Sequence, residues 1–172
     1  MGKPLSAALA LLLCGAVTPA GFAHGDHRHG EKGHGGSDRP PPAAVLQLDQ
    51  ARSAASKYLD IDKALAAGYV DIGVFMPNMG WHYLNEKLLD DRFDWTKPEL
   101  LVYADDPCSA KRRLVAVEYA VPLALSKRPP AGFVGHSDRW DANQSFQIWT
   151  LHAWVYEFNP EGVFAPHNPR VQ

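Results

Sequence analysis

The sequence predicts an α+β domain, with one N-terminal amphipathic helix packed on a small, mainly antiparallel sheet joined by long loops. Three observations point there. Apolar residues recur at steps of three and four between Val45 and Gly68, which is the period of a helix with one buried stripe. Two runs, 113–123 and 146–158, alternate with the period of two that belongs to strands. Between these segments lie stretches rich in Pro, Gly and Asp, which break regular structure.

In the helical segment Leu48, Ala51, Ala55, Tyr58, Leu59 and Leu65 make the apolar stripe, and Gly68 is a natural stop. Residues 72–85 hold two glycines and a proline and read as irregular through their first half, with a short strand beginning at Trp81-His82-Tyr83. Asp90 to Pro98 reads as a surface connection and Glu99 to Tyr103 as a strand. In 113–123 the alternation sets Val115, Val117, Tyr119 and Val121 against Leu114, Ala116, Glu118 and Ala120. In 146–158 it sets Ile148, Thr150, His152 and Trp154 against Trp149, Leu151, Ala153 and Val155. Both faces of both runs are largely apolar, as in central strands covered on each side. Residues 126–145 read as a long loop, of the kind that is often functional in a small domain. The turn-rich end, from Asn159 onward, is expected to fold back onto the sheet.

The globular part spans 43–172 and is preceded by two segments of different character. Residues 1–23 begin with Lys3, continue through an apolar run from Leu5 to about Val17 and end at Gly21-Phe22-Ala23. This is the pattern of a cleavable signal peptide, whose apolar core runs roughly 7–15 residues. A membrane anchor would need about 20 apolar residues, and Pro19 interrupts this run. Leu13 before Cys14 does not make a lipidation site, so Cys14 goes with the leader and Cys108 is left as the single mature cysteine. The expected location is periplasmic or secreted, with no membrane contact after cleavage, and the fold must be held by its core rather than by a disulfide. Residues 24–42 contain no aliphatic or aromatic side chain and read as a disordered tail ending in a proline spacer at 40–42.

The whole chain carries 17 Lys+Arg against 19 Asp+Glu, a net charge of −2. No basic stripe points to nucleic acid. No phosphate loop or dinucleotide fingerprint appears, so no nucleotide cofactor is expected.

Several elements resemble a family of small exported bacterial proteins of unsettled function. They are Met79-Gly80-Trp81-His82-Tyr83, Leu100-Leu101-Val102-Tyr103, the run from Leu114 to Tyr119, and Leu151-His152-Ala153-Trp154 through Asn159-Pro160, Phe164-Ala165-Pro166 and Asn168-Pro169. The resemblance covers roughly 45–171 and implies an exported α+β domain and little chemistry. The chain departs from the pattern in having Asn78 where a glycine is expected and His167 where a large aromatic is expected.

Two histidine groups bear on chemistry. The tail holds His24, His27, His29 and His34, half of the chain's eight histidines. Neutral imidazole binds zinc, copper and nickel, and glycine spacing lets several rings converge on one ion. The bland alternative is a solubilising leader, for which acidic residues would serve better. Cleavage after Ala23 would also let the α-amine of His24 chelate together with its ring, an arrangement suited to copper.

In the domain, His82, Glu118 and His152 each interrupt an apolar context, and two histidines with a carboxylate are a common shell for zinc or non-haem iron. Tyr83, Asn85, Trp154 and Asn168 are candidates for contacts to a ligand around them. Against this stand hydrogen-bonded core histidines and a Glu118 paired with Arg113 or Lys111. The expected function is divalent-metal binding, with copper or zinc as the metals. The alternative is a small polar-ligand pocket or a small enzyme at His82, Glu118 and His152, with an incidental tail. His136-Ser137-Asp138 has the residue types of a hydrolase triad without a nucleophile elbow. Asn143-Gln144-Ser145 is a formal glycosylation sequon.

Overall fold

The computed structural model describes residues 40–172; the expected signal peptide and the histidines at 24, 27, 29 and 34 lie outside the described residues. Helix α1 runs Pro42–Ala55. Pro42 belongs to its first turn, where a residue without an N–H costs nothing, so the third proline of the expected spacer starts the helix instead. The helix therefore lies at 42–59, inside the chain rather than at its N-terminus, and it does not run unbroken to Gly68. It tightens into a 3-10 turn at Ser56–Leu59 and breaks at Asp60, whose backbone is extended (φ −90°, ψ 107°). It then restarts as α2, Ile61–Ala66. The Asp60 carboxylate caps the restart by accepting from the Asp62 N–H at 3.2 Å. The break resets the helical phase: Ala44, Leu48, Ala51, Ala55 and Tyr58 are buried, whereas Leu59 and Leu65, expected on the same stripe, are exposed. Gly68, at φ +98°, ends the helical segment.

Six antiparallel strands follow: β1 Val70–Met76, β2 Gly80–Leu84, β3 Leu100–Asp105, β4 Arg112–Pro122, β5 Asp141–Asn143 and β6 Ile148–Ala153. They lie in the order β1-β2-β3-β4-β6-β5, so the domain is α+β with a mainly local, antiparallel topology. The expectation fails in four places. Residues 70–76 pair with β2 although they read as irregular, because a bulge between Asp71 and Phe75 takes up Gly73 at φ +69°. A short strand, β5, forms inside the segment read as a loop. The run 146–158 pairs only as far as Ala153, because the Trp154 N–H turns away to the Val163 carbonyl. In β4 a register shift opposite Val102 and Tyr103 leaves Val115 as the extra residue. Leu114 therefore packs with Val117 and Tyr119, and Val115 packs with Ala116.

Apolar side chains fill both faces of the sheet. On the first face, Leu101, Tyr103, Val117, Tyr119 and Leu151 pack against the buried stripe of α1 and the residues after it. The Tyr103 hydroxyl donates to the Tyr58 carbonyl at 2.6 Å and so ties β3 to the helical segment. The second face carries a smaller cluster of Val102, Ala104, Val115, Ala116, Trp154 and Val171. The chain end folds back as expected: Trp154 Nε1 donates to the Ala165 carbonyl at 2.7 Å, and the Asn168 N–H donates to the Asn78 carbonyl at 2.7 Å. Gly80 lets β2 approach β3 closely, since a Cβ there would sit 2.4 Å from the Tyr103 carbonyl oxygen.

Candidate metal centre

The strand register brings the three polar interruptions onto one face. Glu118 on β4 stands directly opposite His152 on β6, a position in which side chains meet. Glu118 is also paired with Leu100 of β3, and two residues along that strand Val102 is paired with His82 of β2. Residues two apart on a strand share a face, so His82, Glu118 and His152 converge from three strands on the side away from α1. All three are buried, at 5 %, 4 % and 6 % exposure. Ala116 and Ala120 flank Glu118 on its face and leave its carboxylate without bulky neighbours on its own strand.

Each carboxylate oxygen faces one imidazole. Glu118 Oε2 lies 3.5 Å from His82 Nε2, and Glu118 Oε1 lies 3.5 Å from His152 Nε2. A charge-assisted hydrogen bond would close to about 2.7–2.9 Å, and neither contact does so. Glu118 Oε2 and His152 Nε2 are buried with no hydrogen-bond partner among the described residues. In a tetrahedral zinc site with ligand distances near 2.1 Å, neighbouring donor atoms stand ~3.4 Å apart. One ligand atom from each of the three residues can be chosen so that all lie within 4.8 Å of one another. The group could therefore hold a metal ion.

Burial disfavours charge on these groups, so the electrostatics speak against a Glu118–His152 ion pair. Burial pushes the Glu118 carboxyl up from its usual range, and the nearby His82 only partly offsets it. Burial, helped by the charge of His167, pulls His152 down to about 4, so its ring is neutral at neutral pH, the form in which imidazole can bind a metal. On the far side of His82, Nδ1 lies 3.3 Å from the Val74 carbonyl of β1. The His152 ring stacks on Trp154, with centroids 6.2 Å apart and planes 14° apart. Arg113 does not neutralise Glu118, because it pairs with Glu157 at 2.6 Å.

Of the other candidates, only Trp154 touches this group. Tyr83 and Asn85, expected beside His82, are placed elsewhere because neighbouring strand residues point to opposite faces. The Tyr83 ring packs edge-on against Tyr103 at 4.9 Å, and its hydroxyl receives Arg112 at 2.5 Å. Asn85 caps the turn at Glu86–Leu88 and donates to the Ala67 carbonyl at 3.2 Å. Asn168 is fully buried as a fastener of the chain end, donating to the Phe158 carbonyl and accepting from the Arg170 N–H. Asp138 holds its own loop by accepting from the Phe133 N–H at 2.9 Å, and Cys108 is exposed. The Val74 carbonyl escaped the sequence reading, since a backbone acceptor has no residue-type signal; the only local hint is Gly73 beside it. Protein-family models, curated proteins and solved structures give no match to this chain, so the chemistry of the centre is read from its own geometry.

Proposed function

We propose that this chain is an exported protein that binds a divalent transition metal, with zinc or copper(II) best suited to the donor set. In this reading His82, Glu118 and His152 form the domain site, and His24, His27, His29 and His34 form a second, weaker set in the tail. The observation that carries the reading is the meeting of two imidazole nitrogens and a carboxylate in a buried place, with two of their ligand atoms unpartnered. An isolated buried carboxylate is costly unless it is paired, protonated or metal-bound. Imidazole and carboxylate without thiolate favour borderline ions over soft ones. Export is supported by the leader pattern of residues 1–23 and by the resemblance to small exported bacterial proteins.

The test uses the full chain with His24, His27, His29 and His34 all replaced by Asn, so that metal in the tail cannot be mistaken for metal in the domain. After equilibration with zinc or copper and removal of free ion, elemental analysis should find about one equivalent per chain. Metal well below stoichiometry for both ions would overturn the domain site. Restoring the four histidines should add binding that is lost as pH falls through about 6.5, where exposed imidazole protonates. N-terminal sequencing of the processed protein tests export, and an unprocessed chain retained in the cytoplasm would end that part of the reading.

A further inference from the structure

His82 is the one residue inside β2 that faces no single partner on β1. The register runs Asp71 opposite Tyr83 and then Phe75 opposite Trp81, so three residues, Ile72 to Val74, stand against His82 alone. In a regular antiparallel pair the carbonyls lie in the plane of the sheet and bond the neighbouring backbone. A side chain above that plane cannot collect one. A bulge rotates a carbonyl out of the ladder, and the Val74 oxygen lies 3.3 Å from His82 Nδ1. A carbonyl can only accept, so the nitrogen it meets is the one that carries the hydrogen.

We propose that the Ile72–Val74 bulge is the positioning element of the centre, its Val74 carbonyl holding His82 as the Nδ1–H tautomer with Nε2 turned as a lone pair toward Glu118. The use of that nitrogen on a metal rests on the metal-site reading; the tautomer itself does not. Histidines that bind metals commonly have their second nitrogen anchored in this way, and loss of the anchor typically weakens binding 10–100-fold.

The bulge is itself held in place. Gly73 has φ +69°, a conformation that β-branched residues avoid and Asn tolerates. Its N–H donates to Asp71 Oδ1 at 2.8 Å, and Asp71 Oδ2 receives Arg112 of β4 at 2.7 Å. The Arg112 guanidinium lies 3.9 Å over the ring of Trp81, the residue next to His82. No atom lies within 4 Å of a Cβ built on Gly73, so a side chain there acts through backbone conformation and not through a clash.

The experiment compares Gly73→Val, Gly73→Asn and Asp71→Ala, each in the full chain with the four tail histidines replaced. The tautomer is read from long-range proton–nitrogen spectra of the metal-free protein at about pH 8, above the ordinary titration of imidazole, and zinc affinity is measured on the same samples. The unmodified bulge should show His82 protonated at Nδ1. Gly73→Val should mix the tautomers and weaken zinc at least tenfold, and Gly73→Asn should keep both properties. If Gly73→Val does not fold, Asp71→Ala, which frees the Gly73 N–H on an exposed edge, is read by the same two measurements. An Nε2–H tautomer in the unmodified bulge overturns the proposal. So does a folded Gly73→Val or Asp71→Ala chain that keeps both the tautomer and the affinity. An Nδ1–H tautomer in a chain that binds no zinc supports the hold on His82 and overturns the metal reading alone.

Discussion

Glu99, just before β3, is a buried carboxyl outside the candidate metal centre, and replacing it with Gln should stabilise the protein above acid pH. It is 4 % exposed, and its Oε2 accepts the Ala120 N–H at 3.0 Å. Burial pushes its pKa from 4.5 up to about 8; the Ala120 N–H opposes this, and the negative fields of Asp90 and Asp94 add to it. Because the folded value lies above the unfolded one, the folded chain holds this proton more tightly. The corresponding stability is complete below about pH 4.5 and is lost as pH rises through about 8. At 1.36 kcal/mol per unit, the loss reaches about 3 kcal/mol by pH 7 and about 5 kcal/mol beyond pH 8. Gln keeps an acceptor for Ala120 and has the shape of the protonated acid. The Glu99→Gln chain should therefore match its parent near pH 4 and exceed it by about 3 kcal/mol at pH 7. Urea unfolding followed by tryptophan fluorescence across this range measures the difference directly, and Glu118, present in both chains, cancels. Two stability curves that stay parallel from acid to alkaline pH would show that Glu99 is not held protonated by the fold.

Glu118→Gln should weaken zinc at the domain site by at least about tenfold while making the metal-free fold more stable at neutral pH, because Gln removes the cost of a buried carboxyl whose pKa burial has raised; tight stoichiometric binding by this variant would refute the ligand assignment. Zinc affinity of the tail-substituted parent should rise with pH as the raised Glu118 gives up its proton, and calorimetry in buffers of different ionisation enthalpy should detect proton release on binding. A pH-independent affinity without proton release would count against Glu118 as a ligand. Trp154→Ala should cost about 3–5 kcal/mol, since the ring is 4 % exposed and its Nε1 holds the chain end at Ala165; a loss under about 1 kcal/mol in urea unfolding would place it outside the core. Gly80→Ala should cost about 2–4 kcal/mol, since it combines φ +115° with a Cβ 2.4 Å from the Tyr103 carbonyl oxygen. An unchanged unfolding midpoint would show that β2 and β3 do not approach so closely.

Local periodicity was enough to read the buried stripe at Leu48, Ala51, Ala55 and Tyr58, the stop at Gly68, and the apolar runs that became β3, β4 and β6. Such patterns are legible because burial repeats with the period of the element that causes it. The same reading singled out His82, Glu118 and His152, since polar residues inside apolar runs need a partner. It could not show that the three meet. Their convergence depends on β4 lying between β3 and β6 and on the register that sets Glu118 opposite His152. Register is a relation between segments distant in the chain, and a slip of one residue would turn each of these side chains to the other face. The bulges follow the same logic. Val115 reverses the expected side of Leu114, and the Ile72–Val74 bulge brings a backbone carbonyl to His82. Every residue has such a carbonyl, so only the pairing of β1 with β2 decides which one reaches the imidazole.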